Sequence, residues 1–190
     1  MGREGAHINN IIAGTGLLRV NQGTHPSNII RIIILWLTGW FSVVGFDFLL
    51  HAGLLSSLYS EPSTFLLPLQ EAFRLIPIGY LSFLMLNTLL LWLMMRMNIT
   101  GWREGSLFGL KVGAMIWGGH VLGLFSISTA DPRLLAGWFI GQTIEIGLAG
   151  AVYGSGLAGK RVSRLFINVF VLVLFFVIVS ILIQNLELIS

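Results

Sequence analysis

Five long apolar stretches, separated by short polar segments, set the pattern of this chain. They lie at residues 28–54, 73–97, 105–128, 133–159 and 166–184. A helix rises about 1.5 Å per residue, so about 20 residues cross a hydrocarbon core about 30 Å thick. Lipid offers the backbone no water to bond, and a helix satisfies its own amides. The pattern therefore predicts an all-α integral membrane fold, a bundle of about five transmembrane helices. Residues 28–190 read as one transmembrane domain, and residues 1–27 as an N-terminal arm that is cytoplasmic or interfacial.

The breaks between stretches carry their own signals. Segment 56–72 turns from polar to apolar to acidic and contains Pro62 and Pro68. It reads as a short interfacial helix or a partly re-entrant lid. Pro77 falls in the first turns of the second span, where a missing N–H costs least. Asp131 and Pro132 are an N-cap and a first helical residue for the fourth span. Gly159, Lys160, Arg161 and Arg164 separate it from the fifth, which is Val, Leu, Ile and Phe almost throughout. That last span reads as a lipid-facing or assembly helix outside any site. In the arm, Ile11, Ile12, Leu17, Leu18 and Val20 suit either the membrane surface or a partner protein. The apolar run there is short, glycine-broken and followed by Arg19, so no cleavable signal peptide is expected. Nor is a myristoylation signal, because Ala6 stands where Ser or Thr is preferred.

Charge sets the expected orientation. Only 10% of the 190 residues are charged, against about 25% in soluble domains. Nine of the eleven basic residues (Arg3, Arg19, Arg31, Arg96, Arg103, Lys111, Lys160, Arg161 and Arg164) fall on one side, and Arg74 and Arg133 on the other. The positive-inside rule then puts the N-terminus in the cytoplasm and the C-terminus outside, in a multi-pass protein of the cell inner (plasma) membrane. The net charge of +3 is thus a topological signal, and no nucleic-acid partner is expected. The chain has no cysteine, which excludes disulfides, thiolate-bound zinc, iron–sulfur clusters and thiolate-bound haem.

Against this apolar background the polar positions stand out. Glu145 lies within the fourth span, where a charge costs at least about 2.5 kcal/mol and needs a partner or a proton. Gln142, one turn away, is its nearest candidate partner. Gly137, Gly141 and Glu145 share a face, so a neighbouring helix can approach the carboxyl group closely. Gly105, Gly109 and Gly113 form a second small-residue face, and Gly150 and Gly154 a third; all of these read as helix packing. His120, seven residues beyond Gly113, shares the second face and is expected to be buried there. Asp47 and His51 are four apart near the outer end of the first span, and Asn87 is near the middle of the second. Asp47, His51, Asn87, His120, Gln142 and Glu145 are therefore the candidate ligand- or proton-binding residues, gathered toward the outer half of the membrane.

Three chemistries fit that set. Carboxylates and imidazoles at membrane depth can relay a proton or cation, or line a binding pocket. His51, His120 and Glu145 are candidate ligands for zinc, iron or manganese, and bis-His haem is geometrically open; no His-Glu-x-x-His or repeated Glu-x-x-His motif supports either cofactor. Alternatively the groups only fix the bundle, and the chain is an accessory subunit that meets other membrane subunits or copies of itself. No residue receives a catalytic role, since no Gly-x-Ser-x-Gly or phosphate-binding glycine loop is present.

The stretch Gly105–Gly159 resembles a group of small bacterial and archaeal membrane proteins whose domain has no assigned function. The likeness lies in Gly105-x-x-x-Gly109, His120, the Pro132 loop, Trp138, Gln142, Glu145 and Gly150-x-x-x-Gly154. It implies a bundle of about four spans and no particular activity. By size, the chain is also similar to the substrate-capturing subunits of energy-coupling vitamin transporters, which have six spans rather than five. The expected function is binding or transfer of a small solute, proton or cation in an outward-facing polar pocket, with the accessory subunit and the metal or haem enzyme as alternatives.

Overall fold

The computed structural model describes residues 26–187, all helical apart from their connections. Helix α1 spans Pro26–Phe48 and continues as a π-helical segment, Leu49–Leu54. The other helices are α2 (Ser56–Ser60), α3 (Leu69–Arg96), α4 (Trp102–Ile127), α5 (Pro132–Leu157) and α6 (Val162–Glu187). Five helical segments are long and apolar enough to cross a membrane: Asn28–Leu54, Leu69–Arg96, Trp102–Ile127, Pro132–Leu157 and Val162–Leu186. The expected spans are thus present, and the chain is a multi-pass integral membrane protein. Residues up to Ile32 belong to one compact unit and those from Ile33 onward to another. Of the first unit the described part is the opening of α1, exposed from Asn28 to Ile32. Residues 1–25 of the expected arm lie outside the described residues.

Helix α5 is the centre of the second unit. Its N-cap is as expected: the Asp131 side chain accepts the Arg133 backbone N–H at 2.7 Å, with Pro132 following the cap. Its mean polarity hides a division of labour, with Leu134, Leu135, Ile146 and Tyr153 buried among glycines and with Gln142 and Glu145.

Helices α4 and α5 are antiparallel neighbours in backbone contact. A Cβ on Gly105 would lie 2.1 Å from the Gly150 carbonyl oxygen, and one on Gly150 would lie 2.2 Å from that of Gly105. The Gly101 N–H donates to the Gly154 carbonyl at 2.8 Å, joining the two helix ends. With no hydrophobic drive between helices in lipid, this dispersion contact and the absence of side chains hold the pair. The other glycine face also packs as expected. Gly141 meets Leu50, and Gly137 meets Leu55, so the end of α1 lies flat on α5.

Helix α6 closes against the π-helical segment. Phe46 and Phe176 meet edge to face at 5.4 Å, and Gly45 receives Val173. The expectation that this last helix stays clear of polar chemistry does not hold. Ser180 is fully buried near Gly53, and the Gln184 side chain donates to the Ala52 carbonyl at 2.6 Å. A π-turn shifts the intrahelical bonding partners, leaving room for such an outside donor.

Helix α3 starts four residues earlier than expected, directly after Pro68, so Pro77 sits inside the helix and not in its first turn. Its two halves differ. Phe83, Asn87, Leu90, Leu91 and Met94 are buried, whereas residues 69–79 are almost entirely exposed. The first half therefore stands off its neighbours and leaves a space beside the end of α1.

Candidate functional site

That space is a cavity of about 520 Å³ between the end of α1, the short helix α2 and the first half of α3. One wall is polar, with Asp47, His51 and Tyr59; the other, from α3, is mainly apolar, with Phe73, Ile76 and Tyr80. Gln184 of α6 adds an amide at its edge.

The polar wall is a chain of hydrogen bonds. Trp138 Nε1–H donates to the Tyr59 hydroxyl at 2.5 Å, and that hydroxyl meets His51 Nδ1. His51 Nε2 lies 3.0 Å from Asp47 Oδ1. His51 Nε2 carries a ring proton to Asp47, and the Tyr59 hydroxyl, with one proton and two lone pairs, either gives its proton to His51 Nδ1 or takes one from it. Gln142 Nε2 donates to the same Asp47 oxygen at 3.4 Å and lies 3.1 Å from His51 Nε2, which as a donor in this tautomer cannot accept from it. The π-helical segment carries His51 between Asp47 and Tyr59, and π-turns recur where a side chain must be re-aimed for function.

Electrostatics follow burial. Desolvation holds the Tyr59 hydroxyl above the ordinary tyrosine range; the Trp138 hydrogen bond pulls the other way, and the Asp47 charge adds to the rise. Asp47 is nearly buried, while His51 keeps about 29% of its side chain exposed toward the cavity. At the start of α5, Arg133 bridges Glu61 at 2.9 Å and Asp131 at 2.7 Å, and the Thr64 and Thr129 hydroxyls lie 2.8 Å apart. These contacts tie the connection after α2 to the start of α5, which holds Tyr59 over Trp138.

Of the residues singled out from the sequence, Asp47, His51 and Gln142 come together. The expected i, i+4 pair of Asp47 and His51 forms. Glu145 is fully buried on the same helix as Gln142. The expected Gln142–Glu145 pairing is absent: Gln142 turns its amide nitrogen to Asp47, and both Glu145 oxygens and Gln142 Oε1 are buried with no hydrogen-bond partner among the described residues.

Asn87 belongs to a different cluster. Its side chain donates to the Phe83 carbonyl at 2.9 Å and accepts the Tyr153 hydroxyl at 2.7 Å, tying α3 to α5. His120 is exposed, edge-on to Trp117 at 5.4 Å, and does not join the site. It shares the face of Gly113, as the spacing requires, but the close approach of α5 that covers Gly113 does not cover it. Consequently the candidate metal ligands His51, His120 and Glu145 do not converge, and among the described residues no three His, Cys, Asp or Glu side chains are grouped to hold an ion.

Tyr59, Tyr80, Tyr153 and Gln184 are the polar participants that sequence reasoning passed over, and Trp138 entered it only through the resemblance. Gln184 had a visible signal, being an amide near the end of an otherwise apolar helix. Tyr59 had none, since a tyrosine in a polar connection is ordinary until the fold brings α2 onto α5. No family model matches the chain, and neither does any curated protein or solved structure.

Proposed function

We propose that this chain is an inner-membrane protein, N-terminus cytoplasmic and C-terminus outside, that binds or transfers a small solute in an outward-facing intramembrane pocket and exchanges a proton there. The observation that carries this reading is the chain Trp138–Tyr59–His51–Asp47 on the wall of the 520 Å³ cavity. Cavities of about 300–1,000 Å³ that are mainly apolar with a few convergent polar groups are the usual form of a small-molecule site. A hydrogen-bonded His–carboxylate pair at membrane depth is expensive to keep without a use. Glu145, buried without a partner one turn from Gln142, is a second group able to hold a proton close to the same wall.

Proteoliposomes containing a pH-sensitive dye test the reading. The vesicles are challenged with a panel of small amines, carboxylic acids and neutral alcohols. A solute-driven proton movement that is present in the wild type and lost in Asp47→Asn and Glu145→Gln is expected. A panel that moves no protons, or movement unchanged in both variants, overturns it.

A further inference from the structure

We infer that the solute is a lipophilic amine: an ammonium head on an apolar body, entering from the bilayer between α1 and the first half of α3. The inference rests on the solute-binding reading above and names the chemical class.

Asp47 sets the head group. Its Oδ1 is engaged by His51 and Gln142. Its Oδ2 makes no hydrogen bond among the described residues, yet it is not among the closed-off buried atoms, and Asp47 lines the cavity. An acceptor oxygen therefore faces the space. No lysine or arginine is among the described residues lining it. With Tyr59 donating to His51 Nδ1 the ring is neutral, and the wall then carries an uncompensated negative group. A carboxylate in apolar surroundings calls for a cation with N–H donors, since charge-assisted bonds of this kind are the strong ones. A bare metal ion needs several oxygen ligands, and this wall offers one free carboxylate oxygen and hydroxyls.

The rest of the cavity sets the body. Phe48, Phe73, Tyr80 and Phe83 present aromatic surface, which suits both an apolar body and a cation over a ring face. The volume exceeds what an ammonium or amino acid needs and suits a molecule of drug size. Access follows from α3: Phe73 and Ile76 line the cavity and are 60% and 40% exposed, so the opening is bordered by the apolar residues that face lipid. An amphipathic amine already concentrates at that depth.

The test uses the full chain in mild detergent, with thermal unfolding followed by tryptophan fluorescence. The probes are 4-phenylbutylamine, its neutral counterpart 4-phenylbutanol and the anion 4-phenylbutyrate. The amine is expected to raise the unfolding temperature and to bind roughly tenfold or more tighter than the alcohol, the ratio that a charge-assisted bond supplies. The gain is expected to disappear in Asp47→Asn and in Gly79→Phe. Gly79 lines the cavity and a Cβ there meets no atom within 4 Å, so this second variant adds bulk at the cavity without a clash at the backbone. Equal or tighter binding of the alcohol or the anion, or amine binding that survives both variants, overturns the amine assignment and leaves solute binding standing. If none of the three probes binds while the proteoliposome panel yields a proton-linked carboxylic acid or neutral alcohol, the class is wrong and the function is right. If both experiments are blank, both readings fall.

Discussion

Replacing Glu145 with Met should stabilise the fold while abolishing function. Glu145 is fully buried, and neither carboxyl oxygen has a hydrogen-bond partner among the described residues. A buried polar group without a partner costs about 1–3 kcal/mol, and a charged one more. Methionine is close to glutamate in length and volume, adapts to irregular space and asks for no partner. The surroundings limit the relaxation, because Gly141 and Gly147 hold α5 close to Leu50 and Leu110. The substitution should therefore raise unfolding stability by about 1–3 kcal/mol, the desolvation penalty that is removed. The sign is the same whether the native carboxyl is neutral or ionised, since either form is unpartnered. Unfolding in mixed micelles by SDS titration, read by tryptophan fluorescence, measures the stability, and solute-driven proton movement in vesicles measures the function. A loss of more than about 1 kcal/mol would refute the reasoning, because it would mean that the carboxyl makes a stabilising bond of ordinary size. Full proton-coupled activity in the variant would refute the functional half.

Three further outcomes test other parts of the structure. Gly150→Ala places a methyl 2.2 Å from the Gly105 carbonyl oxygen and should cost about 1–3 kcal/mol as α4 and α5 separate, whereas Gly79→Ala meets nothing and should gain about 0.5–1 kcal/mol of helix propensity; the same SDS titration compares them. Tyr153→Phe leaves Asn87 Oδ1 buried without its donor and should cost about 1–3 kcal/mol, and the double variant Tyr153→Phe with Asn87→Leu should recover part of that loss. For Tyr59, the raised hydroxyl pKa means that the folded state holds its proton longer than the unfolded chain, whose tyrosines ionise near 10. Its contribution to stability is therefore complete below about pH 10 and is lost as pH rises above that value. An ultraviolet tyrosinate titration should show one residue in the wild type, missing in Tyr59→Phe, that ionises well above 10; ionisation of that residue at 10 would contradict its burial.

The class of protein was legible in the chain itself because membrane insertion is governed by segment length and hydrophobicity, which are local properties. Each of the five spans is one continuous segment, and the Asp131–Pro132 start of α5 and the spacing of Gly105 with Gly109, Gly137 with Gly141 and Gly150 with Gly154 lie within about a turn. The Asp47–His51 pair was legible for the same reason, being one turn apart. The membership of the site was not. Identical helical spacing put His120 and Gly113 on one face, yet only Gly113 is covered, because where two helices part is set by their crossing and not by either sequence alone. Asn87 and Gln142 were both amides at membrane depth; tertiary contact gave one to Tyr153 and the other to Asp47. Tyr59 reaches His51 only through the π-turn and the fold of α2 onto α5, and Gln184 reaches Ala52 across 132 residues of chain. The cavity is likewise a property of the assembled helices. It exists because the second half of α3 is packed and the first half is not, and which half meets a neighbour is settled by how the helices assemble.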